Sequence, residues 1–537
     1  MAVPETTSVA QSNPEARDAS VDLSATPRKK VLGREFFKSI GSPKYIVAPM
    51  VDRSEFAWRM LTRSFMSPEE QKSVLAYSPM YHARLFREQP GVRLQHFHPT
   101  RAAIGKDDDA PYLDGNPSID RPLFVQFCAN NSDDFLEAAR HVAPYCDAVD
   151  LNLGCPQGIA KRGHYGSFLQ EDWELIYKLV NTLHNELSVP VTAKFRILET
   201  KEKTLEYAKM ILSAGASIIT LHGRRREQKG HNTGVADWSY IRYLRDNLPP
   251  ETVIFANGNN LNHGDLERCL EATGADAVMS AEGNLSDPAI FSKPPPVGSQ
   301  EREYWRGRDG KGGWRIDAIF RRYLDIIYEY VLEQPVPERK PLFLPSDPVG
   351  EEPETTRTDQ ANGEEIEEGP PKKKQKRDKT KSKRPNSPSL GVMQGHMFQL
   401  LRPMVSTHTN VRDALARSRP GDMAAFEHTL SLVEKAIQGG LKEYEEFPER
   451  FEPPTDVELT GSKKTIAEYG RPWWVCQPHV RPLPEEAMES GALSVKKNSN
   501  GRDEKQKPEK SSENSDTATE ASKTVSAAAT PDQLVSG

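Results

Sequence analysis

The chain has 537 residues, of which 36% are apolar, 28% charged and 42 are proline, so it can hold more than one domain and part of it is too polar to bury a core. A net charge of −6 excludes nucleic-acid binding through overall charge alone and leaves only a local basic surface for that purpose. The five cysteines (128, 146, 155, 269 and 476) form no C-x-x-C pair, which excludes a zinc or disulfide framework and suits a reducing compartment.

Residues 1–40 are rich in Ser, Thr, Pro and charge and read as a disordered segment with neither a secretory signal nor a transit peptide. Order begins with YIVA at 45–48, a short strand ending in Pro49-Met50, and a helix pattern follows through Phe56, Trp58, Met60 and Leu61. SVLAY at 73–77 is the second strand, and residues 81–98 are helical in part. Residues 101–121, with GKDDDAPYLDGNPSID inside, read as a polar surface insertion. LFVQF at 123–127 is the third strand, 133–142 a helix, and 148–153 the fourth strand. That strand breaks at Gly154-Cys155-Pro156 into a wet, basic loop carrying Lys161, Arg162 and His164.

Residues 171–187 form an amphipathic helix with Trp173, Ile176, Leu179, Val180 and Leu183 on one face. VTAKF (191–195), SIITLH (217–222), TVIFA (252–256) and AVMS (277–280) are the remaining strands, with helices over 205–212, 238–244 and 263–272. Beyond the prolines at 294–296, residues 314–332 are strongly helical, 390–403 and 423–444 are helical again, and Trp473, Trp474 and Val475 dock near the end. Between them lies a low-complexity stretch, acidic around 351–368 and then basic in KKKQKR at 372–377, a candidate nuclear import signal. No run is long enough to span a membrane.

Eight short apolar strands alternating with helices over about 250 residues predict an α/β fold, a (β/α)8 TIM barrel. An open doubly wound sheet is the alternative, but no G-x-G-x-x-G follows any strand. In a barrel the functional groups lie at the C-terminal strand ends. Those ends hold Pro49, Met50 and Val51; Gln126; Asn152 and Cys155; Lys194 and Arg196; His222 and Arg224; Asn257, Gly258 and Asn259; Ala281 and Glu282. Taken singly, Cys155 could be a packed thiol and His222 a satisfied core histidine. A polar or reactive group at nearly every strand end is hard to explain as packing.

These residues also carry a resemblance. SPM, QFCAN, LNLGCPQ, AKFR, HGRRREQKG, ANGN and VMSAEGNL, in that order over 45–291, resemble the tRNA-dihydrouridine synthases, and the set looks like the eukaryotic type that acts at D-loop positions 16 and 17. The resemblance implies an FMN-binding (β/α)8 catalytic barrel, placed at 41–295, followed by a small C-terminal helical tRNA-binding domain, placed at 296–345 and 388–450, while composition makes 346–387 a disordered insertion, 451–480 a partly ordered extension and 481–537 a disordered tail. It implies reduction of the uracil C5–C6 bond with NAD(P)H as reductant and Cys155 as proton donor. Pro49, Met50, Val51, Gln126, Lys194, His222, Asn257, Gly258, Asn259, Ala281 and Glu282 would hold FMN. Asn152 and Arg196 would contact the target uracil, while Lys161, Arg162, Arg224, Arg225 and Lys229 would meet the tRNA. One departure stands out: many bacterial relatives have Gly-Arg where this chain has Ala281-Glu282, and a carboxylate cannot replace that cation at a phosphate. A monomer without metal, in the nucleus or cytoplasm, is expected. The alternatives are a flavin reductase of a free pyrimidine or other small molecule, and a tRNA-binding protein with an inactive barrel.

Overall fold

A computed structural model describes residues 30–106, 108–348, 387–451, 461–482 and 486. The run KKKQKR and most of the acidic and C-terminal low-complexity stretches lie outside the described residues.

Strands β1 (Tyr45–Val47), β2 (Val74–Tyr77), β3 (Leu123–Cys128), β4 (Ala148–Leu153), β5 (Val191–Arg196), β6 (Ile218–His222), β7 (Val253–Asn257) and β8 (Ala277–Ser280) are all parallel. They pair in the order β2-β1-β8-β7-β6-β5-β4-β3, and Ala76↔Leu123 with Tyr77↔Phe124 closes the ring. This is the predicted (β/α)8 barrel. Every residue of β4 and β5 is buried, yet the strands still alternate. In VTAKFR, Phe195 packs its ring edge on Tyr207 of a surrounding helix at 5.2 Å, so Thr192, Lys194 and Arg196 turn to the opposite, inner side. Register then sets polar side chains in three successive rows: Gln126↔Asp150↔Thr192, Asn152↔Lys194, and Arg196↔His222↔Asn257.

The helices around the barrel include α1 (Gly33–Ser39), α2 (Phe56–Arg63), α3 (Ser132–Val142), α4 (Gly158–Gly163), α5 (Trp173–Glu186), α6 (Lys201–Ser213), α7 (Ser239–Asn247), α8 (His263–Thr273) and α9 (Glu282–Ser286). Their starts follow the sequence: Asn131, Asp172, Thr200 and Asn262 each accept a backbone N–H of the first turn.

Two expectations change. Helix α1 falls inside the stretch read as disordered, because Phe36 and Phe37 are buried under the barrel floor, 5.9 Å from Phe124 and 5.7 Å from Phe255. The segment 101–121 is not merely a surface insertion, since Asp114 and Asp120 are buried against α2. Asp120 accepts from Arg59 Nε at 2.9 Å and from Arg63 at 2.8 Å, and Asp114 accepts from Arg59 at 2.8 Å. A buried carboxylate is stable only when paired in this way.

After the barrel, a hairpin of β9 (Tyr304–Arg306) and β10 (Gly312–Trp314) leads into α10 (Ile316–Ile326), then α11 (Pro388–Leu400), α12 (Thr409–Arg417) and α13 (Met423–Glu446). Helix α11 is joined to the barrel through His396. Its ring stacks on Trp58 of α2 at 4.1 Å, and its Nε2 lies 3.1 Å from the Glu55 carboxylate. Trp58 in turn donates to Asn284 of α9 at 2.8 Å. Trp474 and Val475 are fully buried beside the hairpin.

Candidate active site

The centre of the site is the turn after β4. Asn152 Oδ1 accepts the backbone N–H of Gly154 (3.1 Å) and of Cys155 (2.9 Å), folding the strand end back so that Cys155 faces the barrel mouth. From the other side, Ser167 donates both its N–H (3.1 Å) and its hydroxyl (2.9 Å) to the Cys155 carbonyl. Gly166, at φ +65°, makes room for this: a Cβ there would lie 2.8 Å from that carbonyl oxygen. Burial pushes the Cys155 thiol up, although Arg196, Lys194 and Lys229 pull the other way, so the sulfur carries its proton at neutral pH.

Beneath the turn runs a buried chain. Asn152 Nδ2 donates to Gln126 Oε1 (2.8 Å), Gln126 Nε2 to Asp150 (2.8 Å), and Thr192 to Asp150 (2.6 Å). Burial lifts Asp150 to about 6. Lys194 is only 5% exposed. Burial, with Arg196 beside it, lowers its ammonium to about 8. Arg196 is brought to about 10 by burial and donates to the Gly154 carbonyl (2.7 Å) and to the Arg225 carbonyl (3.2 Å). It therefore ties the Cys155 turn to the loop after β6.

That loop corrects one expectation. Arg224 is not on the exposed rim: it is 4% exposed, and it bonds His222 Nε2 (3.1 Å) and Asn259 Oδ1 (2.5 Å). Burial lowers it to about 9, and burial among Arg196, Arg224 and Lys194 holds His222 neutral. His222 Nδ1 and Asn257 Oδ1 are buried with no partner among the described residues. Gly258, at φ +107°, admits no side chain, since a Cβ would stand 2.7 Å from Ala236 Cβ. Pro49 and Met50 are buried at the end of β1, and Val51 is exposed.

At the end of β8 Ala281 is buried, and the Glu282 carboxylate is not free to act as an isolated ligand. It pairs with Arg481 and stands 3.8 Å from His479. Burial raises Glu282, but those two partners bring it below the usual carboxylate range. Residue 481 thus belongs to the ordered extension and not to the expected tail.

Lys161 and Arg162 are exposed, as expected of a rim, but on helix α4 and not in a loop. Gln157 enters that helix in extended conformation and His164 leaves it left-handed. Arg225 and Lys229 are also exposed. Lys229 donates to the Pro156 carbonyl (2.7 Å), and both Lys229 and Arg226 lie over the Phe168 ring, at 5.9 and 5.3 Å.

The mouth thus sets a protonated thiol beside four cations (Lys194, Arg196, Arg224, Arg481) and two carboxylates (Asp150, Glu282), an arrangement that suits an anionic, acceptor-rich group. Residues 46–304 match the family model described as dihydrouridine synthase. A Schizosaccharomyces pombe protein named tRNA-dihydrouridine(16/17) synthase is 42% identical over 85% of this chain and 92% of its own length. The chain belongs to the dihydrouridine synthase family. A Saccharomyces cerevisiae dihydrouridine synthase with the same (16/17) name is also 42% identical, over 85% of this chain and 88% of its own. A human protein named tRNA-dihydrouridine(20a/20b) synthase-like is 31% identical over 48% of this chain and 73% of its own.

Sequence reasoning missed several residues in this dihydrouridine synthase. Asp150 and Thr192 passed as members of apolar strands, although a carboxylate inside AVDLNL is itself a signal. Ser167 and Gly166 gave a weaker one, a small pair shortly after the cysteine. Arg481 and His479 gave none, because only the folded chain brings them to β8.

Proposed function

We propose that this chain is an FMN-dependent tRNA-dihydrouridine synthase that reduces the C5–C6 bond of D-loop uridines, at positions 16 and 17, with NAD(P)H as reductant. The observation that carries this reading is the un-ionised Cys155 thiol, turned into a cationic barrel mouth by Asn152 and Ser167. FMN fits that mouth: Lys194, His222 Nδ1 and Asn257 Oδ1 are buried polar groups suited to flavin and ribityl atoms. When bound, the flavin supplies the hydride that uracil receives at C6.

The chain supplies the rest. Negative charge builds on O4 and C5 of the uracil, and Cys155 gives its proton to C5. A positioned general acid typically contributes about 10²–10⁴-fold. Lys194 and Arg196 keep the site cationic while that charge develops. Asn152 acts mainly by holding the Cys155 turn, since its oxygen is committed there and one amide N–H to Gln126. The exposed Lys161, Arg162, Arg225 and Lys229 favour a polyanionic substrate over a free pyrimidine. Likeness over 85% of this chain to a (16/17) synthase, against 48% of this chain to a (20a/20b) synthase, supports the position assignment.

The test is single-turnover reduction of unmodified tRNA by the purified yellow protein. Cys155→Ala should keep FMN and tRNA binding and lose at least 100-fold in rate, within the range of general-acid effects. Unchanged turnover would remove Cys155 from the chemistry.

A further inference from the structure

The cationic corner at the end of β8 has a contributor from far along the chain. The segment 473–482 runs as a strap from the C-terminal helices to the barrel mouth. It is pinned at its start: Trp474 and Val475 are buried, the Trp474 carbonyl accepts from Ile316 N–H (3.0 Å), and Cys476 N–H donates to Trp314 (2.8 Å). Cys476 Sγ then reaches the Ser286 carbonyl of α9 at 2.9 Å, which fixes the strap to the helix that Glu282 begins. From there His479 and Arg481 close on Glu282.

Neutralising Glu282 does not exhaust what this corner offers. Arg224 lies within electrostatic reach of both Arg481 and Glu282, so two guanidinium groups share one carboxylate. Arg481 Nε is buried and has no partner among the described residues, although its NH2 holds Glu282. Asn259, which Arg224 contacts at 2.5 Å, borders the same corner. Such an excess of positive charge around an unused donor matches a phosphate monoester, which carries about 1.5–2 negative charges at neutral pH. It also explains how an acidic residue is tolerated at the end of β8: a carboxylate near a phosphate is repulsive unless it orients a cation.

We propose that Arg481 is a ligand of the flavin phosphate, delivered by the 473–482 strap and oriented by Glu282 as a positioning residue. This rests on the reading that the barrel takes FMN. The C-terminal extension then secures the cofactor as well as closing the fold, and the cation that Ala281-Glu282 cannot supply comes from the other end of the chain.

The phosphate is what distinguishes FMN from riboflavin, so the two flavins separate a phosphate ligand from a general structural role. Full-length apoprotein is titrated with each, following quenching of flavin fluorescence. Arg481→Gln should bind FMN about 10- to 100-fold more weakly, the range for a lost charge-assisted hydrogen bond, and bind riboflavin as the wild type does. Arg481→Lys should recover part of the FMN affinity. Equal weakening for both flavins would assign Arg481 to strap packing and overturn the proposal, as would an FMN affinity within twofold of wild type. A wild-type chain that takes up neither flavin would instead overturn the cofactor assignment on which the proposal rests.

Discussion

At the scale of single residues, the fold imposes the protonation states on which the proposed chemistry depends. Burial raises the Cys155 thiol, so the proton that the proposed transfer to C5 would use is present at neutral pH. Burial lowers the Lys194 ammonium to about 8, so its charge is present below that pH and lost above it. The single-turnover rate should therefore hold up to about pH 8 and fall beyond it, and Lys194→Arg should move the basic limb upward even where the rate itself is lower. A limb that stays in place in Lys194→Arg would show that another group controls it. Gly166 offers a steric test of the same site. Its φ of +65° and the 2.8 Å approach to the Cys155 carbonyl mean that Gly166→Ala must displace the catalytic turn. Turnover should fall at least tenfold with FMN content unchanged, and wild-type turnover would show that the turn adapts. Cys155 itself was legible in the sequence from its place after a strand in a Gly/Pro turn. Of its holders, Asn152 stood out at the same strand end, whereas Ser167 and Gly166 left only the weak signal of a small pair, because their contact with the Cys155 carbonyl forms only in the folded turn.

At the scale of elements, the strands were the most legible part. Apolar runs such as SIITLH and AVMS have one use in an alternating βα pattern, and all eight pair in parallel as expected. The polar segment 101–121 misled, because its composition resembles a surface loop while two of its carboxylates face arginines of α2. That contact has a measurable weight. Asp120 is fully buried and shared by Arg59 and Arg63. Asp120→Ala leaves two guanidinium groups without their common partner, a loss of about 3–5 kcal/mol and a fall in the thermal midpoint on the order of 10 °C. A shift of a degree or two would mean that the arginines find water or another carboxylate. Helix α4, six residues that begin and end in glycine, stands where a loop is expected and carries Lys161 and Arg162.

At the scale of the whole molecule, a chain of net charge −6 must bind a polyanion through a confined surface. The rim of Lys161, Arg162, Arg225 and Lys229 is that surface in this account. Its tRNA affinity should fall steeply with salt, and each neutralised rim cation should lower the log–log salt slope by roughly 1. A salt-insensitive affinity would contradict it. The C-terminal helices dock through His396, Glu55 and Trp58, and the strap returns to Glu282, so barrel and helices meet on both sides of the end of β8. Neither contact could be read from the sequence, because the partners are hundreds of residues apart and each looks ordinary in its own segment.

The central claim is that this barrel reduces D-loop uridines of tRNA through Cys155. The most direct measurement is dihydrouridine mapped at single-nucleotide level in tRNA from cells lacking the chain, complemented with wild type or with Cys155→Ala. Dihydrouridine at positions 16 and 17 should be absent without the chain, return with the wild type and stay absent with the variant. Unchanged dihydrouridine at those positions in the deleted cells, or full restoration by Cys155→Ala, would contradict it.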